Sequence, residues 1–420
     1  MIAPASHPEL PAPVDFPHSF HDWRARVERL SVPPVVAVAG SRGKTTVVRL
    51  LDAIFRQAGL RTALWTNYGV EINGRRQSGE LVPWSRAVSR LADGSLDVGI
   101  QELDWATVHA VGLPGASYPL VAVTNLCVNN DSCLVQSETR LAMKALTRVR
   151  AAAREDGALV LNGEDFGVAP HENDHAPAIL VGQSRDTPLI RNQLKSGGMA
   201  AWVSDGTLVV GGSDRVAPFG RSSVLPFAFG GAVSFQVHNA LIAGALARAC
   251  GISTAAIAEA LAMFSPSPKV MPGSFNVLPV SGATVVVDRP APSWFLRPAL
   301  RAVGHLPGRR LLTVAGHLAP IPLDDLTETG RLLGRSGGVL ILHSADASSE
   351  RFTLLRQGIL ANEVPPIIIH CASERQALNR ALDILRPGDT TYVLADNPPA
   401  VLRAVERARG ASASAAAPSA

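Results

Sequence analysis

Lysine is nearly missing from this 420-residue chain: of 39 basic residues only Lys44, Lys144, Lys195 and Lys269 are lysines, so a lysine inside a glycine loop is not filler. Cysteine is scarce too. Cys127, Cys133, Cys250 and Cys371 include no CxxC pair, which argues against a disulfide framework and against a thiolate zinc site. Neither sign of charge is in large excess, the net being +4, and no run of Lys or Arg could follow a phosphate backbone. No nucleic-acid partner is expected. No apolar stretch approaches the ~20 residues of a membrane span, and the start MIAPASHPELPAPVDF lacks the basic-then-apolar order of a signal peptide. A cytoplasmic chain is expected.

What is present is a folded composition, with 47% hydrophobic and 18% charged residues and a mean hydropathy of +0.17. At roughly 150 residues per domain the length predicts two or three domains. Residues 1–30 form a lead-in that turns from Pro-rich into an amphipathic helix carrying Phe20, Trp23, Val27 and Leu30. Apolar runs at 35–40, 62–66, 96–103, 118–125 and 158–162 alternate with helical patterns such as 137–154, which predicts a parallel sheet covered by helices. Short strands punctuated by Gly, Ser and Asp between 176 and 235 predict an antiparallel excursion. The Pro-rich segment 264–274 reads as a linker. Beyond it, strands at 284–288, 310–316, 338–343, 366–370 and 391–395 alternate with helices. The expectation is therefore a mostly parallel P-loop ATPase domain over 31–264, a smaller Rossmann-like α/β domain over 275–409, and a disordered low-complexity tail over 410–420.

Between the first strand and the first helix of the larger domain stands AVAGSRGKTT, with Gly40, Ser41, Arg42, Gly43, Lys44, Thr45 and Thr46. A loop of this kind surrounds phosphate oxygens with backbone N–H groups and a helix N-terminus, sets Lys44 on the outer phosphates and points the Thr45 hydroxyl at Mg2+. The strict G-x-x-x-x-G-K-[ST] pattern is not met, because Val38 stands five residues before Gly43. The alternative is a helix cap after a tight turn; the strand before, the helix after and the rarity of lysine favour a nucleotide site.

The spacing Ala-x-x-Gly-x-x-Gly-Lys-Thr-Thr resembles the G-x-x-G-x-x-G-K-[ST]-T loop of the Mur ligase superfamily, with Ala37 in place of the first glycine. Four further stretches agree in order: IQELD with Glu102, VAVTNLCVNND (121–131), ALVLNGED (158–165) and FQVHNALIAG (235–244). The short lead-in and the S-R-G-K-T-T wording look most like the poly-γ-glutamate synthase ligase subunit or the C-terminal ligase module of cyanophycin synthetase. A folylpolyglutamate synthase usually reads T-N-G-K-G-S there, and a nucleotide-sugar substrate is not expected.

This resemblance implies an ADP-forming ligase in which ATP activates a carboxylate as an acyl phosphate and an amino-acid amine attacks it. ATP and Mg2+ are the implied cofactors; an amino acid and a carboxylate-ended acceptor are the implied substrates. Lys44, Glu102 and Lys144 are implied as catalytic, with Lys144 on phosphate or, carbamylated, on a second metal. Thr45, Glu102 and Asn130 are implied around the metal, and His238, Asn239 and Asp288 around the nucleoside. Asp104 competes with Glu102, and a helix-capping role competes for His238 and Asn239. The family's metal-binding histidine is replaced by Asn130, its linker P-G-R by Pro272-Gly273-Ser274, and its D-Y-A-H-N-P by Asp288-Arg289-Pro290-Ala291-Pro292. These departures leave a second reading open: a nucleotide-binding subunit that is catalytically reduced or acts only with a partner.

Overall fold

A computed structural model describes residues 16–126, 136–171, 174–316, 318–319, 321–343 and 349–416. They divide into two compact units, the first ending at Phe264 and the second beginning at Ser265. The first contains α1 (Phe20–Arg29), β1 (Val35–Ala39), α2 (Lys44–Gln57), β2 (Thr62–Thr66), β3 (Gly69–Ile72), β4 (Arg75–Arg76), α3 (Leu81–Ala92) and β5 (Val98–Leu103). It continues with α4 (Trp105–Val111), β6 (Tyr118–Val123), α5 (Gln136–Ala151), β7 (Ala153–Asn162), β8 (Ala178–Val181), α6 (Pro188–Lys195) and β9 (Met199–Ser204). β10 (Thr207–Gly211), β11 (Val216–Arg221), α7 (Ser234–Ala249) and α8 (Thr254–Met263) complete it.

Its eleven strands form one sheet in the order β11-β10-β9-β8-β7-β6-β1-β5-β2-β3-β4. β1 is central because Val-Val-Ala-Val-Ala is apolar throughout, so both faces can be covered; all five residues are buried, between parallel β5 and β6. The antiparallel excursion is shorter than the sequence suggests. β8 still runs parallel to β7 and β9 parallel to β8, and the antiparallel pairing is confined to β9-β10 and β10-β11. A further antiparallel ribbon, β2-β3-β4, closes the opposite edge. α2 packs against α7 and α8 through Val47, Leu50, Leu51, Ile54 and Phe55. α7 is buried almost all round, as its Ala- and Leu-rich text requires. Trp23 and Val27 of α1 sit in this same core, so the lead-in from Phe20 is part of the first unit.

The second unit contains β12 (Asn276–Val280), β13 (Ala283–Asp288), α9 (Ser293–His305), β14 (Leu311–Ala315), α10 (Leu326–Arg335) and β15 (Val339–His343). It ends with α11 (Glu350–Leu360), β16 (Ile367–Cys371), α12 (Glu374–Asp383), β17 (Thr390–Leu394) and α13 (Pro398–Ala416). Its sheet runs β12-β13-β17-β14-β15-β16, parallel except for the edge strand β12. It has its own core, around Val285, Val287, Leu312, Val314, Ile341 and Val393. The tail expected to be disordered from Gly410 is helical as far as Ala416, because alanine, the best helix former, dominates it. No helix among the described residues is long and apolar enough to cross a membrane.

Candidate active site

The site is assembled at the carboxyl ends of β1, β5 and β6, the edge where parallel α/β sheets bind ligands. β1 ends at Ala39, and the chain turns through Gly40 and Gly43, whose φ angles of 139° and 86° favour glycine. Space demands glycine as well as angle. A Cβ on Gly40 would lie 2.0 Å from Thr124 Oγ1, and one on Gly43 would lie 2.5 Å from Asn239 Oδ1. Gly43 caps α2 without any side-chain hydrogen bond, so the first N–H groups of the helix are left for an outside acceptor.

The loop is held from behind by the segment after β6. Thr124 Oγ1 donates to the Arg42 carbonyl at 2.5 Å. Asn125 accepts the Arg42 N–H at 3.0 Å and donates to the Arg42 carbonyl at 3.0 Å, and its own carbonyl accepts the Ser41 N–H at 2.9 Å. The Trp105 indole donates to Ser41 Oγ at 3.2 Å. Thr124 and Asn125 belong to a stretch singled out from the sequence, whereas nothing in the sequence marked Trp105.

Glu102 is in register with Val38 of β1, which sets its carboxylate at the foot of the loop. Its side chain is 1% exposed. It accepts from Thr45 Oγ1 at 3.1 and 3.0 Å and from the Asn67 N–H at 3.4 Å, and the Lys44 ammonium stands 3.9 Å away. Lys44 Nζ also donates to the Gly40 carbonyl at 2.8 Å. Burial pushes the Lys44 ammonium below its ordinary 10.5, while Glu102 and Asp104 hold it up. Lys44, Thr45 and Glu102 thus converge, and the oxygen donors of Thr45 and Glu102 suit a hard cation such as Mg2+. Asp104 does not compete: it is the N-cap of α4 and accepts from the Thr107 N–H and hydroxyl, each at 2.9 Å.

α7 brings Asn239 against the loop and sets His238, the residue before it, beside Glu164. Asn239, beside Gly43, donates to Gln236 Oε1 at 3.0 Å. Both ring nitrogens of His238 are buried without a hydrogen-bond partner among the described residues, and its Nδ1 stands 3.9 Å from Glu164 Oε2. Burial holds the imidazole below its ordinary 6.5, against the pull of Glu164 and Asp165. Neither residue caps α7, whose N-cap is Val233.

Three further residues expected at the site have other surroundings or fall outside the described residues. Lys144 is exposed on α5 and makes no ion pair or hydrogen bond among the described residues, as an ordinary helix-surface cation would. Asp288 is 5% exposed inside the second unit, where it accepts from the Phe275 and Arg289 N–H groups and the Tyr392 hydroxyl, so its carboxylate is turned inward. Asn130 lies outside the described residues.

No protein-family model matches the chain. The chain is 25% identical over 390 residues to cyanophycin synthetase of Synechocystis sp., covering 89% of this chain and 43% of that protein. It thus spans less than half the length of that relative. It is 28% identical over 389 residues to the UDP-N-acetylmuramoylalanine–D-glutamate ligase of Streptomyces coelicolor, covering 88% of this chain and 72% of that one. Among solved structures, Escherichia coli FolC in complex with ADP shares the fold, with a TM-score of 0.62 at 18% identity over 93% of both chains.

Proposed function

We propose that this chain, similar in sequence to a Mur-type ligase and to cyanophycin synthetase, is an ATP-dependent ligase that joins an amino-acid amine to a carboxylate through an amide bond. The observation that carries the proposal is the convergence of Lys44, Thr45 and Glu102 beside the uncapped N-terminus of α2, with Asn239 hard against Gly43.

In this reading the N–H groups of the loop and of the first turn of α2 hold the phosphates of ATP, and Lys44 neutralises the outer ones. Thr45 and Glu102 would hold Mg2+, which supplies further neutralisation of the phosphate charge. His238 and Asn239 border the nucleoside. The γ-phosphoryl group passes to a carboxylate oxygen of the acceptor, leaving ADP. The amine nitrogen then attacks the carbonyl carbon, phosphate departs with its oxygen, and the nitrogen gives up a proton to solvent. The relatives' own activities favour turnover by this chain over a subunit without chemistry.

The test is Lys44→Ala in a coupled ADP assay with Mg·ATP and pools of amino acids and short acidic peptides. The wild type releases ADP only when a substrate pool is present, and the variant loses that turnover while keeping its circular dichroism spectrum. Full activity in Lys44→Ala contradicts the assignment.

A further inference from the structure

Three neighbouring strands of the second sheet bring another set of ligand atoms to one edge. β17, β14 and β15 lie side by side and parallel, so their carboxyl ends share that edge. His343 is the last residue of β15, Gly316 follows β14, and Asp396 stands just past β17. Glu374 opens α12, which follows the next parallel strand, β16. A ring nitrogen of His343 and a carboxylate oxygen from each of Glu374 and Asp396 all lie within 4.8 Å of one another. His343 is 1% exposed, Glu374 is half-buried and Asp396 is exposed, which makes a group with a buried floor and an open mouth.

Gly316 makes this meeting possible. A Cβ there would stand 2.2 Å from His343 Cε1 and 2.6 Å from Asp396 Oδ2, so only a glycine on the middle strand lets the ring and the carboxylate approach over it. Glu374 is oriented in turn by the Asp396 N–H at 2.7 Å and by the Asn397 N–H at 3.3 Å. Among the described residues no Lys or Arg forms an ion pair with either carboxylate. Two carboxylates held side by side beside a histidine, with no Lys or Arg paired to them among the described residues, are what a metal ion would neutralise.

We propose that His343, Glu374 and Asp396, all of the second unit, bind a divalent transition-metal ion of the zinc type. The imidazole nitrogen selects such an ion over Mg2+ and Ca2+, which prefer oxygen ligands alone. Donors about 2.0–2.2 Å from a tetrahedral ion stand about 3.3–3.6 Å apart, so atoms within 4.8 Å of one another close on the ion through rotation of the exposed Asp396 and half-buried Glu374 side chains. Bound there, the ion ties the ends of β15 and β17 to the start of α12.

The experiment is equilibrium dialysis of the full, nucleotide-free chain against Zn2+ in excess Mg2+, with elemental analysis and thermal unfolding. The wild type takes up one zinc per chain and its unfolding midpoint rises. Both effects are lost in His343→Ala and in Asp396→Asn, while Lys44→Ala keeps them. Because Asp396 is exposed, Asp396→Asn keeps the metal-free fold and midpoint, which separates loss of a ligand from loss of structure. Failure of the wild type to bind zinc, equal binding by the two ligand variants, or loss of binding in Lys44→Ala overturns the proposal.

Discussion

Glu102 and Asp104 stand two positions apart at the end of β5, and their surroundings divide the work between them. The carboxylate of Glu102 is walled in by the loop and meets a hydroxyl and an ammonium, whereas Asp104 spends its lone pairs on the first turn of α4. The sequence shows two acidic residues there; choosing between them needs the register of β5 on β1 and the cap of α4. His238 is the second residue whose surroundings decide its chemistry. Its pKa in the folded chain is lowered by burial, so the unfolded chain takes up the proton first and stability falls as pH drops through 6.5. Between about pH 7 and pH 5.5, the thermal midpoint of the wild type should fall more steeply than that of His238→Gln. Equal slopes would mean that His238 is not held neutral. The glycine loop, Glu102 and the His-Asn pair were legible because each belongs to an ordered run of family spacings. Lys144 and Asp288 were less legible for a physical reason: a lone cation on a helix and a lone acid at a strand end look alike in sequence whether they face solvent, ligand or core.

At the scale of elements, α2 connects the phosphate loop to the sheet. Arg49 on its buried side is 7% exposed and makes a bidentate pair with Glu71 of β3, at 2.7 and 2.6 Å. A buried pair of this kind matters most when one half is removed. Glu71→Ala should cost about 3–5 kcal/mol, and Arg49→Met with Glu71→Leu should recover most of it. Chemical denaturation of the three proteins checks this; a loss below about 1 kcal/mol would show the pair to be dispensable. The hairpin carrying Glu71 left a signal in the sequence that was not read. Asn73-Gly74 have positive φ of 48° and 73°, the turn that joins β3 to β4. β12 left less of one, since Pro279 interrupts it and an edge strand alone tolerates that interruption. The central strands were legible because strands buried on both faces must be apolar throughout.

At the scale of the molecule, two units with separate cores are divided where the text turns Pro-rich. The scarcity of lysine allows a specific check. Lys269 is exposed in a turn just past the division, the Lys44 side chain is only 12% exposed, Lys144 lies within α5, and Lys195 is the last residue of α6. A lysine-specific protease should therefore cut first after Lys269 and leave two folded fragments; a first cut at Lys144 or Lys195 would contradict this. The acceptor and the amino acid were not legible, because substrate-binding loops are shaped by contacts that leave no spacing in sequence. The ligase reading itself is tested most directly by incubating the full chain with Mg·ATP, substrate pools and hydroxylamine. Substrate-dependent hydroxamate together with ADP is the predicted result, since an acyl phosphate would be trapped by that amine. Tight ATP binding with neither ADP nor hydroxamate in any pool would contradict the central claim.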